Sequence, residues 1–137
     1  MNIRIEVDMS DLELDIDKVE KAIEKELAVT GYKIEETAKE LCPVDTGVLK
    51  GGIICKPNGL EVDVFTSGGR DYAHWMEYGT SPHVIMGNPF LYWEGASHPV
   101  DYVIHPGTKA YLYMTTAFDN HTEDLDVRIA NIIEDVL

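Results

Sequence analysis

The side chains able to ligate a metal or move a proton are five histidines, His74, His83, His98, His105 and His121, and two cysteines, Cys42 and Cys55. Zinc sites legible in sequence need close ligand pairs, because two ligands from one turn or one helix face fix the tetrahedral geometry. No CxxC, HExxH or HxxxH occurs here. Three of the histidines sit beside prolines, in "PH" at 82–83, "HP" at 98–99 and "HP" at 105–106, the setting of turn residues. The catalytic alternative is a small metal-dependent enzyme using His83, His98, His105 and an acid. A serine nucleophile has no GxSxG to sit on, and "TSGG" at 66–69 has no base near it in the chain.

A second candidate is "PVDTGVLKGGI" at 43–53. Asp45 and Thr46 have the chemistry to hold a cation or a phosphate. A lone carboxylate makes a poor cation site, and a phosphate wants more N–H groups and a base. The structural alternative is a corner: Pro43 stops a helix, Asp45 caps a turn at 46–50, and Gly47 lets another backbone approach. The third candidate is aromatic. Tyr72, Trp75, Tyr78, Phe90, Tyr92, Trp93, Tyr102, Tyr111 and Tyr113 crowd into 72–113. Core packing accounts for such a cluster, and so does a protein interface. Base stacking would need interleaved cations, and only Arg70 and Lys109 flank the cluster.

The elements that must position these residues follow from periodicity. Ile3, Ile5 and Val7 alternate with polar neighbours, which predicts a half-buried strand over 2–7. Leu12, Leu14 and Ile16 continue the alternation while "SDLE" at 10–13 reads as a capping box, so 8–17 is an irregular lead-in with a turn of helix. Ile16, Val19, Ile23, Leu27, Thr30, Ile34, Ala38 and Leu41 then recur every three or four residues. That is one amphipathic helix, with Asp15 or Asp17 at its start, Gly31 a weak point within it and Pro43 beyond its end. "GIICK" and "LEVDVFT" flank Asn58-Gly59, a hairpin signal. Asp71 caps a short helix, "YAHWMEY", that Gly79 stops. "PHVIMGNPFLYWEG" predicts a second hairpin with "GNP" at its tip, and 96–110 a long loop with a short strand at 101–104. A last helix starts near Lys109 with a bend near Asn120. Its stripe is Tyr111, Thr115, Phe118, Thr122, Leu125, Ile129, Ile132 and Val136. Strands and helices are segregated, so the fold class is α+β: a mainly antiparallel sheet packed against a long N-terminal helix and a C-terminal helix.

The chain has 137 residues, a single-domain length. Acids outnumber Lys and Arg by 25 to 11, for a net charge of −14. By region the balance is 12 against 6 over 1–41, 7 against 4 over 42–118, and 6 against 1 over 119–137. The excess therefore lies on the two helical ends. Such a surface does not grip nucleic-acid phosphates. Two cysteines without close spacing suggest buried thiols in a reducing compartment. The start is acidic, with no leader-like apolar run, and no stretch is long enough to span a bilayer.

Three blocks carry a resemblance: "AKELCPVDTGVLKGGI" (38–53), "YAHWMEYGTSPHVI" (72–85) and "HPGTKAYLYMTTAFD" (105–119). In this order they resemble the head–tail joining, or neck, protein family of tailed bacteriophages, also called phage morphogenesis or tail-completion proteins. The family pattern falls on Pro43, Asp45, Thr46, Gly47 and Leu49; on Tyr72, Ala73, Glu77, Gly79 and Thr80; and on His105, Pro106, Gly107, Thr108 and Ala117. Gly52 stands where the family usually has Ser, and 86–104 is longer and more aromatic than the pattern. The resemblance implies one connector domain over 1–137, with 86–104 an elaboration, and no catalytic, cofactor or metal site. It implies a virion protein, assembled in the host cytoplasm, whose copies form a six-fold or twelve-fold ring between the portal and adaptor proteins and the tail terminator or tail tube. DNA passes through without specific binding, past a lumen lined by part of the acidic charge; no membrane is involved. A tail-completion or minor tail component is the alternative within the same machine.

Overall fold

The computed structural model describes residues 1–8, 16–43, 47–67 and 70–136. Strand β1 (Asn2–Glu6) is followed by helix α1 (Ile16–Leu41) and a single turn, α2 (Val48–Gly51). Strands β2 (Ile53–Asn58) and β3 (Glu61–Thr66) lead into α3 (Arg70–Tyr78). Strands β4 (His83–Leu91) and β5 (Val100–His105) precede α4 (Tyr113–Thr122) and α5 (Leu125–Val136). One antiparallel sheet has the order β1-β3-β2, and β4 and β5 pair separately as a hairpin. The expected α+β class is what the structure has.

Helix α1 organises the body. Its stripe of Val19, Ile23, Leu27, Thr30, Ile34 and Ala38 is buried. The helix packs through this buried side against β2 and β3 and also against α4 and α5. From the sheet come Ile53, Cys55, Val62 and Val64; from the C-terminal layer come Tyr113, Met114, Ala117 and Leu125. Each large aliphatic side chain taken fully from water contributes about 1.5–3 kcal/mol, so a helix that buries one face continuously dominates the core. The stripe deviates from its expected course at Leu41, which is exposed while Cys42 is buried in its place. The helix stops there, ahead of Pro43, and the chain turns inward one residue later.

Gly31 is a packing residue rather than a weak point. A Cβ there would overlap Val62 Cγ2 and lie 2.8 Å from Cys55 Sγ, so the absent side chain lets α1 settle onto the sheet. The free edge of β2 is partly covered as well: Glu35 on α1 accepts the Cys55 N–H at 3.3 Å. At the other edge Arg4 and Asp63 form a two-pronged cross-strand pair at 2.8 and 3.1 Å. The hydrogen bond from Arg4 holds the Asp63 carboxyl below its ordinary range.

The C-terminal segment differs from the sequence expectation in two places. Helix α4 begins at Tyr113, not near Lys109, and the break before α5 falls at Glu123–Asp124 instead of near Asn120. Tyr111 is accordingly exposed, and Tyr113, Met114 and Ala117 form the buried face. Arg128, the one base among the six acids of 119–137, holds the break. Its Nη1 reaches Glu26 and, at 3.1 Å, Thr30 Oγ1; its Nε meets Asp124 at 3.0 Å; its Nη2 donates to the His121 carbonyl near the end of α4. A guanidinium at that end suits the partial negative charge of the last carbonyls.

Two outcomes test this packing. Gly31→Ala is expected to lower stability by about 1–3 kcal/mol in urea unfolding, because overpacking outweighs the better helix propensity of alanine; an unchanged or raised midpoint contradicts the close approach. The Cys42 and Cys55 thiols are both buried, and burial pushes Cys55 up to about 11. Neither is expected to react with a disulfide reagent at pH 8 until denaturant is added.

Candidate functional site

The residues that the sequence singled out divide into two places. Pro43 and Gly47 bound the corner after α1; Asp45 and Thr46, and with them the expected cap, lie outside the described residues. Gly47 is exposed, with φ +83° and, among the described residues, no atom near its Cβ position, so its glycine serves the backbone conformation. Tyr72 is an exposed residue of α3. Glu77, Gly79, Thr80, His105 and Gly107 come together where α3 ends, the hairpin begins and the chain returns toward α4. Pro106 is exposed at the same return.

Glu77 is the centre of this junction and has no exposed surface. Helix α4 starts without a capping side chain of its own: its N-cap is Leu112, left-handed at φ +50°. The Glu77 carboxylate supplies the cap from another helix. It accepts the Met114 N–H at 2.8 Å, the Thr115 N–H at 2.8 Å and the Thr115 hydroxyl at 2.6 Å. Those two amides are the second and third of α4, the donors that an Asp or Ser N-cap would satisfy. A negative group at that end also suits the helix dipole.

The exchange runs in both directions. Tyr111 N–H donates to the Met76 carbonyl at 2.9 Å, and Leu112 N–H to the Glu77 carbonyl at 3.1 Å, closing the C-terminus of α3. The Tyr113 hydroxyl, buried, donates to the Ala73 carbonyl at 3.2 Å. Burial pushes that phenol well above its ordinary range. This explains why the last helix starts late: residues 111–112 are spent on α3.

Two Gly-Thr pairs lock the base of the hairpin. Thr80 and Thr108 form an antiparallel bridge, with N–H to carbonyl distances of 2.9 and 3.1 Å, and Thr80 Oγ1 also accepts the Thr108 N–H at 2.9 Å. Gly79 (φ +75°) would bring a Cβ to 2.5 Å from the Thr108 carbonyl oxygen, and a Cβ on Gly107 (φ +91°) would overlap the Thr80 carbonyl oxygen. Both positions therefore need glycine for conformation and for space. The recurrence of "GT" at 79–80 and 107–108 was the sequence signal that joins them.

His83 and His105 stack across the first rung of the hairpin, centroids 4.9 Å apart. His83 Nδ1 lies 2.8 Å from the Ser81 carbonyl and so donates; His105 Nδ1 accepts the Gly107 N–H at 3.0 Å. In the neutral tautomer these bonds require, the proton of His105 is on Nε2, and its lone pair is already used. The two rings thus do not present paired lone pairs to one ion. His98 bonds the neighbouring Pro99 carbonyl, and His121 on α4 meets Thr37 Oγ1 of α1 at 2.7 Å. Among the described residues no group of three His, Cys, Asp or Glu converges to hold a metal.

The hairpin also departs from expectation. "GNP" is not its tip: Gly87, Asn88 and Pro89 lie inside β4, where the register shifts between Met86 and Leu91. A Cβ on Gly87 would come within 2.5 Å of the Phe90 backbone, so the extra residues fold into a bulge. The reversal comes at 92–99, and the expected short strand, as β5, is its second arm. Sequence reasoning missed how bare this arm is. Val84 pairs with Ile104 and Met86 with Tyr102 on one face, and all four side chains are exposed. The opposite face, through Ile85 and the two histidines, borders a cleft with Trp75.

Glu77→Ala is expected to cost about 2–4 kcal/mol, since it strands a buried and a part-buried amide at a helix start. Glu77→Gln retains an acceptor and should cost less. Gly79→Ala and Gly107→Ala should each destabilise by more than about 1 kcal/mol. Chemical denaturation of the four variants checks the order; a Glu77→Ala midpoint equal to that of the parent contradicts the capping role.

No curated protein and no solved structure shows a detectable match to the chain. A family model does match, over residues 9–79, just over half of the chain. That stretch runs through α1, the corner, β2, β3 and α3, and it ends at Gly79, two residues beyond Glu77. The chain belongs to the HK97-gp10-like family, described as "Bacteriophage HK97-gp10, putative tail-component".

Proposed function

We propose that this chain is a structural protein of the phage neck, a single connector domain whose copies form a ring joining the portal and adaptor complex to the tail tube. The observation that carries the reading is the β4–β5 arm. It extends from a body that belongs to a phage tail-component family, and the side chains of its apolar outer face are exposed among the described residues. A two-stranded hairpin is at best marginal in water by itself, so an arm of this composition suits a protein that completes its packing on assembly. No helix among the described residues is long and apolar enough to cross a membrane. The family description favours the tail side of the junction, which keeps a tail-completion or minor tail component as the second reading.

The ring, six-fold or twelve-fold, encloses the channel through which DNA leaves. Exposed carboxylates stand along the helices, with Asp17, Glu36 and Glu40 on α1, Glu123 and Asp124 at the break, and Asp126, Glu134 and Asp135 on α5. Part of this charge faces the lumen in our reading, where it keeps the genome from adhering to the wall.

In lysates of a phage lacking the chain, electron microscopy is expected to show heads and tails that stay separate until purified protein is supplied. Complete infectious particles formed without it would end this reading. A density map of the particle then decides the charge: carboxylates of α1 or α5 should face the channel, and an outward orientation of both helices rejects the lumen proposal.

A further inference from the structure

We infer that the outer face of the β4–β5 hairpin docks onto the exposed aromatic face of α3 in a second copy of this chain. The inference deepens the ring reading above by naming the two surfaces that meet.

The first surface is the hairpin's outer face. Val84 and Met86 on β4 are 54% and 67% exposed, and their partners Ile104 and Tyr102 on β5 are 71% and 56% exposed. Phe90, within the bulge, is a further exposed ring of the arm. The second surface is on the body. Tyr72, Trp75 and Tyr78, three residues apart along α3, are each about half exposed, and Tyr111 and Leu112 extend the patch. Contiguous apolar surface of this kind marks interaction sites in soluble proteins, whereas single exposed residues do not. Aromatic side chains are also the residues enriched in interface centres.

The occupant follows from geometry and charge. A chain cannot cover its own outer hairpin face with its own α3, because the inner face, through Ile85, already borders Trp75. The occupant is therefore another molecule. Residues 81–105 contain Glu94 and Asp101 and no Lys or Arg, which is the wrong charge for nucleic acid. The α3 patch has an exposed cation beside it. Lys109 is exposed there, its Nζ 5.9 Å over the Tyr111 ring, and between residues 57 and 127 the only other Lys or Arg is Arg70 at the start of α3. Hairpin against hairpin would gather four carboxylates with no cation. Hairpin against α3 gives the rim carboxylates a lysine and puts apolar surface on apolar surface. Two different patches on one chain make a heterologous contact, the kind that repeats from copy to copy and forms a ring where its rotation closes.

Cysteine cross-linking tests this directly. Phe90→Cys and Tyr72→Cys are made separately in the full chain, one with a tag that changes its size, then mixed and mildly oxidised. The native Cys42 and Cys55 are buried and give little background. The expected product is a disulfide between the two variants, present in the mixture, absent from either variant alone, and lost when Ile104→Lys is added to the Phe90→Cys chain. Ile104 is exposed, so that change should leave the melting temperature in place. A Phe90→Cys chain that links to itself would mean hairpin–hairpin pairing and overturns the inference. Chains that stay monomeric and unlinked at high concentration would overturn it too, and would assign the arm to a different protein. If such a chain still joins heads to tails, the docking inference falls and the neck role stands. If the link forms but particles assemble without the protein, the neck role falls alone.

Discussion

A carboxylate without solvent access holds two separate helices in one geometry. Glu77 sits near the C-terminal end of α3, a poor place for negative charge on its own helix. It is tolerated there because the same carboxylate stands at the N-terminus of α4 and accepts three bonds from it. The two helix ends thus cancel each other's unpaired groups: α4 donates to Glu77, and the residues just before α4 donate to the last carbonyls of α3. Each helix is short, and short helices are marginal without tertiary support. The junction supplies that support, and α4 passes it on to α1, against which it packs.

The hairpin inherits its direction from this junction. It leaves the body at Thr80 and returns at Thr108, and the bridge between those residues ties both ends together directly beyond α3. The two glycines beside the bridge allow the backbones to meet where any side chain would keep them apart. An arm fixed at both ends on a rigid base can present its face in one orientation, which a contact repeated around a ring requires. The stacked histidines and the Trp75 cleft complete the base on the inner side.

Much of this was legible in the sequence where a period or a special residue carried the information. The long helix, with ends at Ile16 and Leu41, follows from its spacing and from Pro43, and the β2–β3 turn follows from Asn58-Gly59. Glu77, Gly79, Thr80, His105 and Gly107 stood out as motif residues, yet their purpose did not, because capping between helices links residues 37 and 38 apart and has no local pattern. The start of α4 was missed for the same reason: the residues that look like its first turn are committed to α3. "GNP" was misread because Gly, Asn and Pro are turn formers in any context, and only the pairing across the strands tells a bulge from a tip. Gly31 illustrates the converse. Propensity marks it as a weakness, and packing makes it a requirement.

Charge segregation gives the proposed assembly its logic. Copies of a chain carrying −14 repel one another, and self-association needs a surface from which that charge has been removed. The sequence removes it selectively: the helical ends hold the excess, while residues 81–105 hold two acids and otherwise uncharged, largely apolar and aromatic side chains. The nine residues of β4 can reach up to about 30 Å, and screening at physiological salt acts over about 8 Å. A contact made along such an arm can keep the acidic helical faces of neighbouring copies several screening lengths apart. The apolar arm and the acidic helices are then two halves of one solution. In the proposed ring the arm would bring copies together, and the charge would set how they must turn so that like faces do not meet.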